Sequence, residues 1–160
     1  MDDKVITFAV RKTGRFRWLS YVDFLRLMVY GLRRAGYPVM FSHGFKPKPL
    51  YISLQAVPLG VDVAVDVVSF RFPMDFEPLA DPRPFFPEDM APLGWFYGEV
   101  ERFWGVYRCG GHWMMVEHPQ NGLRSILKRL QCEPYDTIRI DVLLEDAGRK
   151  QSVLNLIRRW

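Results

Sequence analysis

The segment whose residue types are best suited to binding or catalysis is residues 42–49, which read S-H-G-F-K-P-K-P. Lys46 and Lys48 alternate with prolines, which hold the backbone extended and project both ammonium groups to one side. Gly44 permits a tight approach of the backbone to a ligand, and Phe45 offers a ring on which a base can stack. The pattern is typical of a surface that binds a single-stranded polyanion. The alternative is a proline-stiffened hairpin with ordinary surface lysines.

His43, in the same segment, is a candidate for acid–base catalysis. An imidazole with an ordinary pKa of about 6.5 can accept and donate protons near neutral pH. A lone histidine is more often a surface or hydrogen-bonding residue, so we expect binding rather than catalysis here. The sequence also contains no P-loop, no dinucleotide-binding glycine motif and no nucleophile elbow, which argues against an autonomous enzyme with a familiar cofactor.

The net charge of +4 is unevenly distributed along the 160 residues. Residues 1–60 carry a net charge of +7, residues 61–100 carry −6 and residues 101–160 carry +3. A basic first third attracts polyanions, of which RNA is the obvious candidate, although a solvated basic surface balanced by the acidic segment would give the same numbers.

The cysteines predict a reduced, metal-free protein. Cys109 and Cys132 stand apart without a C-x-x-C motif, which predicts two free thiols in the cytosol. Cys109, His112 and His118 form a metal-like group, but a structural zinc site needs about four ligands, so we expect a core thiol and two surface imidazoles. The sequence has no C-x-x-x-C-x-x-C run for an iron–sulfur cluster.

Targeting signals are also missing from the sequence. The beginning, M-D-D-K-V-I-T-F, lacks the basic and apolar regions of a signal peptide. No stretch approaches the roughly 20 apolar residues of a membrane span. We therefore expect a cytoplasmic protein without membrane association.

Hydrophobic periodicity predicts the elements that position the first half of the chain. Ser20 and Asp23 are typical of a helix start, and the helix should run to about Ala35 and end at Gly36. Alternating or short apolar runs predict strands over residues 4–12, 39–42, 50–56 and 63–72. The order strand–helix–strand–strand is the opening of a ferredoxin-like β-α-β-β unit, so we predict an α+β protein with a ferredoxin-like N-terminal half.

The second half is predicted to be a smaller α/β unit. Six prolines in residues 73–92 predict an irregular connection. Beyond it we expect a bent strand over 95–107, a hairpin turn at Gly110-Gly111, a helix over 123–130 capped by Asn121, a strand over 137–144 and a final helix over 152–160. The chain thus divides into residues 1–72, 73–92 and 93–160, with the two halves packed as one unit.

Several motifs of the first half resemble the radical SAM-linked protein family. They are K-T-G-R-F-R-W-L-S-Y-V-D from Lys12, the helix end G-L-R-R-A-G-Y-P-V, and F-S-H-G-F-K-P-K-P-L-Y-I-S-L-Q-A-V-P-L-G, which ends at Gly60. Domains of this family have an uncertain function and are fused to, or encoded beside, radical SAM enzymes. The family usually has a histidine where this chain has Tyr21, which argues against histidine chemistry at that position.

The resemblance implies an accessory role beside a radical SAM enzyme, with the iron–sulfur cluster and S-adenosylmethionine held only by that partner. The family's genomic association with ribosome and RNA-processing genes implies RNA or a ribonucleoprotein as substrate. We therefore predict a non-catalytic, RNA-binding accessory domain whose contacts are Arg15, Arg17, Arg26, Arg33, Arg34, His43, Phe45, Lys46, Lys48 and Tyr51. Two alternatives stay open: a ferredoxin-like endoribonuclease that uses His43, and a protein–protein adaptor that binds no nucleic acid.

Overall fold

A computed structural model describes residues 2–53, 57–119 and 123–160. Within these ranges the predicted mixed α+β class is confirmed, with a core that is mostly sheet. The helices are α1 (Tyr21–Arg34) and α2 (Leu123–Arg129). The strands are β1 (Asp3–Lys12), β2 (Tyr51–Ile52), β3 (Asp62–Pro73), β4 (Pro92–Tyr97), β5 (Phe103–Cys109), β6 (His112–His118), β7 (Thr137–Asp146) and β8 (Arg149–Ser152).

All of these strands belong to one sheet, whose main order is β4-β1-β3-β7-β5-β6. The long central ladder is antiparallel and pairs β1 with β3, so that Ile6 lies opposite Phe70. β3 and β7 run parallel over a short ladder at Asp62 and Val63, which joins the first half of the chain to the second. β2 pairs with the other end of β3, and β8 pairs with β7.

α1 begins and ends where the sequence predicts, because its two caps are local. The Ser20 side-chain oxygen accepts a hydrogen bond from the Asp23 N–H at 3.2 Å and so satisfies one of the free donors of the first turn. Gly36 adopts a φ of 87°, a left-handed conformation that stops the helix at little steric cost.

The core beneath α1 forms from two matching apolar patterns. Phe24, Met28 and Leu32 lie on one side of α1 and are fully buried. They pack against alternate side chains of β1, including Ile6 and Phe8. Burial of each such side chain is worth about 1.5–3 kcal/mol, so this contact fixes α1 on one face of the sheet.

The segment between α1 and β3 departs from the prediction. The strand predicted over 39–42 is wrong: this stretch has only an isolated bridge from Phe41 to Pro49. The prolines of the segment remove ladder donors, which shortens the pairing. Of the strand predicted over 50–56, only β2 forms: Leu50 and Ser53 lie outside it, and residues 54–56 lie outside the described part. Because β3 borders β7 as well as β2, the ferredoxin-like arrangement stays a prediction.

The connection and the β5–β6 hairpin agree with the sequence. Residues 73–92 are irregular apart from their sheet ends and 3-10 turns at Arg83–Phe85 and Glu88–Met90. The bent strand predicted over 95–107 is two strands, because Gly98 adopts a φ of 108° between β4 and β5. The Gly110-Gly111 turn, α2 and β7 are confirmed. The predicted cap Asn121 lies outside the described residues.

The helix predicted over 152–160 is wrong. The chain there forms the end of β8, a 3-10 turn at Val153–Asn155 and a bridge to β4. The Trp95 N–H donates to the Arg158 carbonyl at 3.0 Å, and the Arg158 N–H donates to the Trp95 carbonyl at 2.7 Å. Pairing with a sheet edge therefore takes the backbone groups that a helix would use.

None of the described helices is long and apolar enough to cross a membrane.

Candidate functional site

Residues 42–48, which we call the basic loop, form a short loop that projects from the sheet beside β3. The Ser42 N–H donates to the Lys48 carbonyl at 2.8 Å, and the Lys48 N–H donates to the Ser42 hydroxyl oxygen at 3.0 Å. Gly44 has a φ of 126°, and apart from its two chain neighbours no described residue has an atom within 4 Å of the place where a Cβ would stand. The backbone conformation, not crowding, therefore favours glycine here. The loop has a closed base and an open tip.

The side chains at the tip of the basic loop face solvent. Phe45 is 98% exposed, and His43, Lys46 and Lys48 are exposed as well. No ion pair joins either lysine to any residue that the structure describes. The tip therefore presents an exposed aromatic ring together with two lysines that have no ion pair among the described residues.

The outer face of α1 extends this surface. Arg26 and Arg33 are two helical turns apart and lie on the same side of α1, separated by about 10 Å along its axis. Tyr30 lies between them in the chain and is 63% exposed. The Arg33 guanidinium carbon is 5.1 Å from the centre of the Phe41 ring, at the base of the basic loop. Arg26 pairs with exposed Asp23 at 3.1 Å, a contact that solvent weakens.

Tyr51 lies on the same side of the sheet as α1. It stands directly opposite Phe70 in the antiparallel pairing of β2 with β3, and residues opposite each other share a face. Phe70 packs in the core beneath α1, whereas Tyr51, at the edge, is 43% exposed. We define the loop–helix surface as Arg26, Tyr30, Arg33, His43, Phe45, Lys46, Lys48 and Tyr51.

Three predicted arginines lie outside this surface. Arg15 and Arg17 belong to the 3-10 turn Gly14–Trp18, which precedes α1, and about 18 Å of helix separates that end from Arg33. Their guanidinium groups lie over neighbouring rings, those of Phe16 and Trp18. Arg34 extends toward Phe85, with 5.9 Å between its guanidinium carbon and the ring centre.

His43 has no orienting partner in the described part of the chain. No hydrogen bond or ion pair holds its imidazole among these residues, and its side chain is exposed. General acid–base catalysis depends on an imidazole within hydrogen-bond reach of the proton that it transfers, usually with a second group that fixes the ring. The geometry thus gives His43 access to a ligand without the second group that catalysis usually needs.

The structure also contains a buried charged cluster that is not predicted from the sequence. Lys12, Asp66 and Arg139 are each at most 2% exposed. The Arg139 Nη2 lies 2.7 Å from Asp66 Oδ1, its Nε donates to the Val65 carbonyl at 3.1 Å, and its Nη1 donates to the Tyr107 hydroxyl at 3.2 Å. The available signal is a charged residue inside an apolar strand, Asp66 within β3 and Arg139 near the start of β7.

Burial favours the neutral form of one member of this cluster, Lys12. It lowers the pKa of Lys12, an effect that Asp66 opposes and Arg139 strengthens. The Lys12 Nζ makes no hydrogen bond with the described residues. Burial also raises the pKa of Tyr21, whose hydroxyl shares a 2.6 Å hydrogen bond with that of Ser53. Position 21 therefore holds a neutral, half-buried phenol.

The cysteine and histidine predictions need correction. His118 is 2% exposed rather than on the surface, and its Nε2 lies 2.6 Å from the Tyr107 hydroxyl. Burial, with a smaller contribution from Arg139, lowers the pKa of His118 to about 4. The two cysteines are joined as a disulfide, because the end of β5 lies beside the turn after α2 with a Cα–Cα distance of 6.2 Å.

His112 is exposed, as predicted. Within residues 2–53, 57–119 and 123–160, no group of three or more histidine, cysteine, aspartate or glutamate side chains could hold a metal ion.

Comparison with known proteins gives one match. The model of a family described as an uncharacterized protein conserved in bacteria (DUF2344) matches residues 6–81, just under half of the chain. The matched part contains most of β1, all of α1, the basic loop and β3, and every predicted site residue. The comparisons with curated proteins and with solved structures found no match.

Proposed function

We propose that the chain is a non-catalytic accessory domain that binds single-stranded RNA, alone or in a ribonucleoprotein, through the loop–helix surface. The observation that carries the proposal is the exposed Phe45 beside uncompensated Lys46 and Lys48, on a loop whose base is closed by backbone hydrogen bonds. A preformed base lowers the entropy cost of ordering the loop when a ligand binds.

The arrangement suits RNA because it combines two kinds of contact. Lysine and arginine side chains neutralise phosphates and release counterions, which supplies affinity without base preference. Exposed rings stack on unpaired bases, at about 1–3 kcal/mol per base. Phe45, Tyr51 and Tyr30 supply the rings, while Arg26, Arg33 and the two lysines supply the charge.

A radical SAM enzyme is the partner in this proposal, which rests on the sequence resemblance. That enzyme would carry the iron–sulfur cluster and S-adenosylmethionine and perform the chemistry, whereas this chain would hold the RNA substrate. A cytoplasmic location belongs to the same proposal.

A ferredoxin-like N-terminal half is also part of the proposal. Its support is the antiparallel neighbour order β4, β1, β3, β2, with α1 as the connection from β1 to β2. The connection from β3 to β4 carries 3-10 turns where a second helix would stand. β7 extends the sheet beyond β3 and would link the unit to the second half.

The proposal is tested by the salt dependence of RNA binding. We expect Lys46→Gln/Lys48→Gln to weaken binding of a short single-stranded RNA, measured by fluorescence anisotropy over a series of salt concentrations. Loss of two phosphate contacts should reduce the slope of log K against log salt by about 1.4, since each contact contributes roughly 0.7 for a single strand. Arg124→Gln/Lys128→Gln, on the exposed side of α2, is the control with the same change in net charge.

Three outcomes would overturn the proposal. Equal effects of the two double variants would mean that only bulk charge matters. Absence of RNA binding at low salt, with co-purification of a radical SAM protein, would establish the adaptor. RNA cleavage by the native chain that His43→Ala abolishes, with binding intact, would establish the endoribonuclease.

A further inference from the structure

A second candidate site is a cleft of about 820 Å³ at the end of β1. Small-molecule sites are typically about 300–1,000 Å³ and mostly apolar, with a few polar groups that fix the ligand. The apolar part of this cleft is formed by Ala64, Val65, Pro92, Leu93, Ile140 and Leu154. These residues come from four different parts of the chain, so the cleft exists only in the folded protein.

The charged lining of the cleft is mainly basic. Arg11, Arg83 and Arg159 line it, and Glu88 is the one acid among its described lining residues. The Arg83 guanidinium is already held by Asp81, at 2.8 Å from Nε and 2.7 Å from Nη2. Arg11 and Arg159 make no ion pair with any described residue. Two arginines without an ion pair among the described residues therefore line a largely apolar cleft.

We propose that this cleft binds a phosphate monoester whose body is a ring or another largely apolar group. A phosphate monoester carries a charge of about −1.5 to −2 at neutral pH, which matches two guanidinium groups better than a single carboxylate does. Guanidinium groups also suit phosphate because their planar N–H donors can bind two oxygens at once. The apolar residues bury the body of the ligand, and Glu88 can accept a hydrogen bond from a hydroxyl group on it.

The cleft is separate from the loop–helix surface, so this inference goes beyond the proposed function. The basic loop leaves the sheet beside Arg71, which pairs with Val5 near the start of β1. Arg11 is six residues further along the same strand, a distance of roughly 20 Å. Substitutions in one site therefore leave the other intact.

Isothermal titration calorimetry of the full chain with AMP tests the proposal, with adenosine and inorganic phosphate as probes that each lack one half of the ligand. We expect saturable AMP binding, and at least tenfold weaker binding of each partial probe. Arg11→Gln and Arg159→Gln should each weaken AMP binding by about tenfold or more, because each removes charge-assisted hydrogen bonds. Lys46→Gln/Lys48→Gln is the control and should bind AMP as the native chain does.

Arg11 is half-buried, so its variant can lose the fold; Arg159 is exposed and keeps the test decisive. Absence of AMP binding at millimolar concentration would overturn the proposal, unless the RNA arm below is positive. Equal binding of adenosine, an Arg159→Gln variant with native AMP affinity, or a loss confined to the lysine variant would each overturn it as well.

The phosphate monoester has two possible sources, a free small molecule and the 5′ end of an RNA. A 5′-phosphorylated RNA compared with the same RNA bearing a 5′-hydroxyl separates them. Extra affinity for the phosphorylated RNA that Arg159→Gln removes would identify an RNA end, whereas binding of AMP alone would identify a small molecule. Absence of both responses would refute the phosphate site. It would leave the proposal of RNA binding at the basic loop untouched.

Discussion

The guanidinium carbon of Arg33 lies 5.1 Å from the centre of the Phe41 ring, and Phe41 pairs with Pro49 across the base of the basic loop. A cation over an aromatic face is attracted by the electron density of the ring. The contact connects the last turn of α1 to the base of the basic loop. Arg34, the next residue, extends toward Phe85 instead.

This difference predicts unequal effects for two adjacent, chemically identical substitutions. Arg33→Gln should weaken binding of single-stranded RNA by about five- to tenfold, because it removes a charge-assisted contact to phosphate. Arg34→Gln should change the affinity by less than about twofold, since that side chain lies away from the loop–helix surface. Fluorescence anisotropy at one fixed salt concentration measures both. Equal losses of RNA affinity in the two variants would show that the loop–helix surface is assigned to the wrong residues.

Phe45 should contribute affinity without salt dependence. Phe45→Ala is expected to cost about 1–3 kcal/mol of RNA binding, the range for one stacked base, while the slope of log K against log salt stays unchanged. Phe45→Trp, which keeps a stacking ring, should bind nearly as the native chain does. The ring is 98% exposed, so unfolding in urea should shift by less than about 0.5 kcal/mol. A native affinity in Phe45→Ala would remove the ring from the site.

The buried cluster predicts a large and asymmetric loss of stability. Asp66→Asn should lower the free energy of unfolding by about 3–5 kcal/mol, because Arg139 then remains charged and unpaired in the core. Arg139→Met should cost less, since Lys12 can still balance Asp66. Urea denaturation compares these variants with Asp81→Asn, which breaks an exposed pair and should have a much smaller effect. The reverse order of Asp66→Asn and Arg139→Met would contradict this account of the cluster.

His118 predicts that stability falls as the pH falls from about 6.5 to about 4. Burial lowers the pKa of His118 to about 4 in the folded chain, against an ordinary value of about 6.5, so in this window the unfolded chain binds a proton that the folded chain does not. The resulting loss in the free energy of unfolding amounts to at most about 3 kcal/mol. It should be absent above pH 6.5, where His118 is neutral in both states. Urea denaturation over this pH range, in the native chain and in His118→Gln, measures it.

The variant should lose this part of the pH dependence. His112→Gln, in the same strand but exposed, should keep it. A pH profile of His118→Gln that parallels the native one would mean that His118 titrates normally.

Local patterns explain which parts of the fold the sequence predicts. β1 and α1 follow from alternation, the Ser20 cap and Gly36, all of which act within a few residues. The prediction of a strand over 39–42 fails because prolines in that segment remove ladder donors, and the prediction of the final helix fails because a tertiary contact overrides local preference. In the second case the backbone of Arg158 pairs with β4, more than 60 residues earlier in the chain.

The functional residues likewise divide into those that local sequence patterns predict and those that depend on tertiary contacts. Alternating Pro and Lys predict the exposed tip of the basic loop without tertiary information. Arg33 and Arg34 are neighbours in sequence, yet a helix turns about 100° per residue, which separates them in space. The Asp66–Arg139 ion pair and the Cys109–Cys132 disulfide join distant segments, so the local sequence does not show which residue pairs with which.

The most direct test of the central claim is photo-cross-linking of a 4-thiouridine-labelled single-stranded RNA to the native chain, with mass spectrometry of the linked peptides. The account predicts cross-links in the peptide that contains Phe45, accompanied by others in α1 near Tyr30, and their loss in Lys46→Gln/Lys48→Gln. Cross-links confined to α2 or β6, or none at low salt, would contradict RNA binding at the loop–helix surface.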